Sequence, residues 1–170
     1  MSLFILSLGI IGAASMQLTA LRTSQQSGFH HVALQLAMDT ADQIRAVAAS
    51  NVSDISNPLL TLDFQSSGNF AVPAVLCHGT TSNCDGQALA AFAIYETQSR
   101  MKMMLPQGRI KVCRDDMPWD DSVNSYTWDC SASGSATPLV VKLGWREPQD
   151  GMAAGARLSA TPQLVLVVRS

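Results

Sequence analysis

Met1 to Leu21 reads MSLFILSLGIIGAASMQLTAL, a stretch without a single Asp, Glu, Lys, Arg or His. As a helix rising roughly 1.5 Å per residue it is about 30 Å long, which matches the hydrocarbon thickness of a bilayer. A cleaved secretory signal begins with a basic region, and none stands here. A buried core helix of this length carries a polar stripe, and none is visible either. The stretch is therefore expected to be an uncleaved membrane-spanning helix. Its small residues Gly9, Gly12, Ala13, Ala14 and Ser15 allow neighbouring helices to approach closely, with Leu18 and Leu21 on the same packing surface.

Beyond Arg22 the apolar residues Phe29, Val32, Leu36, Ile44 and Val47 recur at spacings near three and four or their sums. That is the period of an amphipathic helix. Gln25, Gln26, Asp39, Asp42, Gln43 and Arg45 fall mostly between them, and Ser50, Asn51 and Asn57-Pro58 supply stop signals. One helix from Met1 to about Ala49 is expected, spanning lipid over 1–21 and lying on a globular domain over 22–50, with Gly28 as a point of local bending.

The remainder, 51–170, has room for one globular domain. From Asn51 to Thr81 the chain is rich in Ser, Asn, Pro and Gly and reads as a connection with at most short extended pieces. A second helix is expected from about Asp85 to Met104, with Leu89, Phe92, Ala93, Met103 and Met104 inside, ended by Pro106 and Gly108. Four segments then read as strands: Arg109 to Arg114, Ser125 to Cys130, Pro138 to Trp145 and Gln163 to Arg169. Short polar connections favour an antiparallel sheet. The expected class is α+β, a long helix laid on an antiparallel sheet of about four strands.

The four cysteines lack the C-x-x-C spacing of zinc or redox sites. Disulfides are the better reading, and three pairings are open. The chosen one is Cys77–Cys84 with Cys113–Cys130, because each bond then closes a local loop and the second staples neighbouring strands. Such bonds persist in a periplasm or outside the cell. A net charge of −2 with 14% charged residues lacks the basic footprint of a nucleic-acid binder.

No residue reads as catalytic. The chain has no G-x-S-x-G, no H-E-x-x-H and no phosphate-cradling glycine loop, and its serines have no evident His and Asp companions. His30 and His31 are adjacent on a helix and point about 100° apart, so they read as solvated or interfacial side chains. Asp115, Asp116, Asp120 and Asp121 lack the spacing of a calcium loop and read as a solvated turn. Met101, Met103 and Met104 read as core filling. No metal, cofactor or small-molecule substrate is expected.

The segments Leu6-Ser-Leu-Gly-Ile-Ile-Gly12, Gln17-Leu-Thr-Ala-Leu-Arg22 and Ala37-Met-Asp-Thr-Ala-Asp-Gln-Ile-Arg45 resemble the N-terminal helix of PilV-like minor pilins, the type IV pilus modification proteins. Leu105-Pro-Gln-Gly-Arg109 and Gly144-Trp-Arg-Glu147 resemble that family's C-terminal half. The resemblance implies a pilin-like fold whose helix anchors the subunit in the inner membrane and later packs at the centre of a filament. The implied partners are other minor pilins, the major pilin and the pilus assembly machinery. It also implies that the family's basic leader, peptidase site and following glutamate lie upstream of Met1, making this an N-terminally truncated form. In the second helix Ala93 and Thr97 stand where relatives often carry an aspartate and a tryptophan. A pseudopilin of a type II secretion system is the nearest alternative, and a membrane-tethered periplasmic binding module or enzyme using the acidic loop is a second.

Overall fold

A computed structural model of the chain describes residues 2–50, 57–79, 82–134, 136–146 and 161–168, with side chains in the first helix described from residue 13 onward. The first helix, α1, runs from Ser2 to Ala49 as one element and passes through Gly28 without interruption. Ser50 ends it, directing both its backbone N–H and its hydroxyl to the carbonyl of Val47. Ala33, Leu36, Ala37, Thr40, Ala41, Ile44 and Val47 are buried, and their spacing makes one continuous stripe. Thr40 enters that stripe because its hydroxyl donates to the Leu36 carbonyl and so carries no unmet polar group inward.

Towards the N-terminus the burial stops. Residues 13–25 of α1 are all exposed, and Phe29 and Val32 are the outermost positions packed on the core. The amphipathic half therefore lies on the domain as expected, while the half before it stands clear. Among the described residues no helix is long and apolar enough to cross a membrane. The first twelve residues of the uncharged stretch fall outside those whose side chains are described.

After α1 the chain re-enters at Asn57, whose side chain accepts from the Leu59 N–H and caps a 3₁₀ turn over Pro58–Thr61. Leu59, Leu62 and Phe64 plunge into the core, and Asp63–Gln65 forms strand β1. The second helix, α2, covers Gly86–Met104, opened by Asp85, which accepts from the Ala88 N–H. Its buried positions are Ala90, Ala93, Thr97 and Met101. Met103 and Met104 are exposed, against expectation: Met103 lies on the flank opposite the stripe that advances by three and four residues from Ala90 to Met101, whereas Met104 continues that stripe but is the last residue of α2.

Strand β2 is Arg109–Arg114, β3 is Trp119–Asp120, β4 is Ser125–Tyr126, β5 is Leu139–Gly144 and β6 is Leu164–Val168. The main sheet has the order β1-β2-β5-β6, antiparallel throughout. Three of the four expected strands enter it. The fourth, Ser125 to Cys130, does not: only Ser125 and Tyr126 are strand, and they pair with Trp119 and Asp120 in a separate ribbon. Both flanks of β2 are already taken, by β1 from the supposed connection and by β5. Ile110, Val112, Leu139, Val141 and Leu143 face the helices, together with Leu164, Leu166 and Val168. Strand alternation sends Lys111, Cys113, Val140 and Lys142 to the other face.

The two helices are matched to each other by polar contacts at their rim. Arg100 donates to Asp39 at 2.8 Å and to Glu96 at 2.6 Å, and the Thr97 hydroxyl donates to Gln43 at 3.0 Å. Ala93 and Thr97 are buried, so these small side chains are what let α2 lie close.

Candidate functional site

The face of the sheet turned away from the helices poses an electrostatic problem. Lys111 and Lys142 are directly opposed across β2 and β5, and like charges so placed destabilise a sheet. The two are resolved differently. Lys111 lies 4.0 Å from the Asp63 carboxylate on its outer side. Lys142 is fully buried, and its ammonium donates to Asp115, to the Thr127 carbonyl at 2.8 Å and to the Asp129 carbonyl at 2.6 Å. Those three acceptors match the three donors that a lysine has.

Asp115 is equally enclosed. Its Oδ2 faces Lys142, while its Oδ1 accepts from the Met117 N–H at 3.1 Å, the Ser131 N–H at 3.2 Å and the Ser131 hydroxyl at 3.0 Å. Burial by itself pushes this carboxyl up, but the Lys142 ammonium and the bonds from Ser131 and Met117 outweigh that and hold it below its ordinary value. This corrects the reading of Asp115 as part of a solvated turn. It is the floor of the loop, and it ties both ends of residues 115–131 to one lysine of the central strand.

Two further fasteners act on the same loop. Cys113 of β2 is bonded to Cys130, with Cα atoms 6.3 Å apart, so the bond joins strand to loop instead of strand to strand. Trp128 lies across the sheet over Gly144, where a Cβ would come within 2.8 Å of its ring, so glycine is what admits the indole. The Arg109 guanidinium covers that ring at 4.5 Å while its Nε and Nη2 hold Asp63 in a two-pronged contact of 3.0 and 2.8 Å. The second disulfide, Cys77–Cys84, closes the loop ahead of α2 as expected.

On its outer side the loop is amphipathic. Trp119 and Tyr126, paired across the β3–β4 ribbon, meet edge to face at 5.1 Å, and the Trp119 indole N–H donates to Asp121 at 3.0 Å. Met117, Trp119 and Val123 are 72%, 43% and 60% exposed. Asp120 accepts from Ser122, and Asp116 accepts from Ser133. Hydrogen bonds from Ser133 and Thr137 hold Asp116 below its ordinary pKa, as those from Ser122 and Val123 do for Asp120. Among the described residues no cluster of three or more metal-ligating side chains occurs.

The residues expected on the helix-packing surface fall into two groups. Ala13, Ser15, Leu18 and Leu21 are exposed on the projecting part of α1, whereas Gly9 and Gly12 lie outside the described side chains. Ser15, Thr19, Thr23 and Ser27, four residues apart, form a shallow groove with Met16 and Ala20. The Thr19 and Thr23 hydroxyls donate back to the carbonyls of Ser15 and Thr19 at 3.0 Å, so the groove offers methyl groups and little bulk. His30 and His31 are exposed and brought to no common site; His30 meets the edge of buried Trp145 at 4.7 Å.

Sequence reasoning missed Lys142, Gly144 and Trp128. A lone lysine in the apolar run Leu139-Val-Val-Lys-Leu143 was the one available signal. No protein-family model, curated protein or solved structure matches the chain.

Proposed function

We propose that the chain is a minor pilin, a structural subunit that acts in the assembly or initiation of a type IV pilus and in the adhesion or motility that depends on it. The observation that carries this reading is the division of α1: residues 33–47 bury a continuous stripe against the domain, while residues 13–25 project from it uncovered. An uncovered helical arm that takes in the end of an uncharged stretch suits a part that exchanges lipid for neighbouring helices. The resemblance of its segments to PilV-like proteins supports the same reading, and two disulfides fit a domain exported to an oxidising compartment. In this proposal the chain is a single-pass inner-membrane protein with the domain in the periplasm until it enters a filament. Its partners are other minor pilins and the major pilin, and it performs no catalysis.

Deleting the gene is expected to reduce surface pili and twitching, with complementation restoring both. Normal piliation, twitching and adhesion in the deletion strain would refute the proposal. Intact pili with a defect in protein secretion would move the assignment to the pseudopilins.

A further inference from the structure

We propose that the outer rim of the loop closed by Cys113 and Cys130 is a docking surface for a protein partner whose own surface has an apolar centre ringed by lysine and arginine. This goes beyond the filament reading and does not depend on it. Three large apolar side chains, Met117, Trp119 and Val123, project within seven residues of chain. Tryptophan and methionine are enriched where protein interfaces are buried. Trp119 is already fixed by Tyr126 and Asp121, so little side-chain freedom remains to be lost on binding.

Charge selects the partner. No Lys, Arg or His occurs between Arg114 and Lys142, whereas five aspartates do: Asp115, Asp116, Asp120, Asp121 and Asp129. Lys142 answers Asp115 inside the fold, which leaves four carboxylates in the loop that carries the apolar ridge, more negative charge than the whole chain's net −2. Such a rim repels nucleic acid and anionic lipid and attracts a basic surface. The loop's three fasteners keep the ridge in place, so binding needs no ordering of the backbone.

The test is calorimetric titration of the full chain in a neutral detergent with a synthetic amphipathic helix of lysine and leucine. Two control helices carry glutamate for lysine or serine for leucine. The lysine–leucine helix is expected to bind the wild type. Its affinity should fall about tenfold for Trp119→Ala and for Val123→Ser, and by a similar factor for Asp121→Asn combined with Asp129→Asn. Both asparagines retain a side-chain acceptor, and retention of both disulfides by mass verifies each variant. Equal affinity across the variants overturns the proposal by placing the binding elsewhere, and equal binding of the serine control overturns it by reducing it to bulk electrostatics. A parallel titration with a neutral chito-oligosaccharide gives a further outcome: sugar binding lost in Trp119→Ala but kept in the asparagine variant overturns the protein partner in favour of a carbohydrate.

Discussion

Lys142 sits in the middle of the most deeply buried strand of the sheet, opposite another lysine and with no access to water. A bare ammonium in that position is strongly unfavourable, and what makes it tolerable is that all three of its donors are met, by one carboxylate oxygen of Asp115 and by the Thr127 and Asp129 carbonyls. Breaking such a pair costs more than replacing it. Lys142→Met is expected to destabilise the domain by about 3–5 kcal/mol in urea unfolding, since it strands Asp115, while the double change Lys142→Met with Asp115→Leu should recover only part of the loss, because the Thr127 and Asp129 carbonyls and the Met117 and Ser131 donors still lose their partners. The pair also fixes a pH dependence. The folded carboxyl of Asp115 lies below its unfolded value, so its contribution is complete above about pH 4, the unfolded value, and fades as acid carries the pH down through the folded value. Thermal melts of the wild type should lose stability in that acid window, and the Lys142→Met and Asp115→Leu double variant should lose less. At this scale little was legible: a lysine among valines announces an unusual environment, but not which distant carboxylate meets it.

The elements differ in how openly the sequence declares them. The first helix was readable because its repeating apolar positions extend over many turns without proline, and the second because Asp85 and Pro106 bracket it. Asp85→Ala is expected to cost about 1 kcal/mol in thermal or urea unfolding, since the Ala88 N–H loses its acceptor and the first turn of α2 is left uncapped. Strand β1 was not readable, because three residues are too few for a period and only pairing with β2 makes them a strand. The Ser125 to Cys130 segment misled for the converse reason: it is β-prone, yet the disulfide at Cys130 and the carbonyls of Thr127 and Asp129 are claimed by the sheet beneath it. Replacing Cys113 and Cys130 by serine together should lower stability by about 2–4 kcal/mol, seen in unfolding curves. The Lys142 contact should keep the loop seated, so the Trp119 ring should still be found packed on Tyr126 by NMR.

For the whole molecule the governing feature is the split helix, one portion buried on the sheet and one projecting. If the uncharged stretch, which includes most of the projecting arm, associates inside lipid, a charge there must be expelled. Gly12→Arg is expected to abolish retention in the membrane fraction or entry into filaments, because a cation near the bilayer centre costs at least about 2.5 kcal/mol. Fractionation followed by immunoblotting of sheared filaments measures both, and normal assembly of that variant would place the stretch elsewhere. The acidic ridge around Trp119 belongs to the loop fastened on the sheet face turned away from the helices, so the helical arm and the ridge are separate surfaces, and changes at one should leave the other's readout untouched.

By itself the sequence determined the helices, three of the sheet's strands and the antiparallel class, and it left three cysteine pairings open, of which the one that keeps each bridge local is the one formed. Those features depend on periodicity, turn residues and short separations along the chain, which a linear string records. Only the tertiary structure decided that Asp63–Gln65 edges the sheet, that Asp115 is buried under Lys142, and that Gly144 makes room for Trp128. Each of those joins groups at least sixteen residues apart through burial, and burial is a property of how surfaces meet in space, which no local pattern of residues encodes.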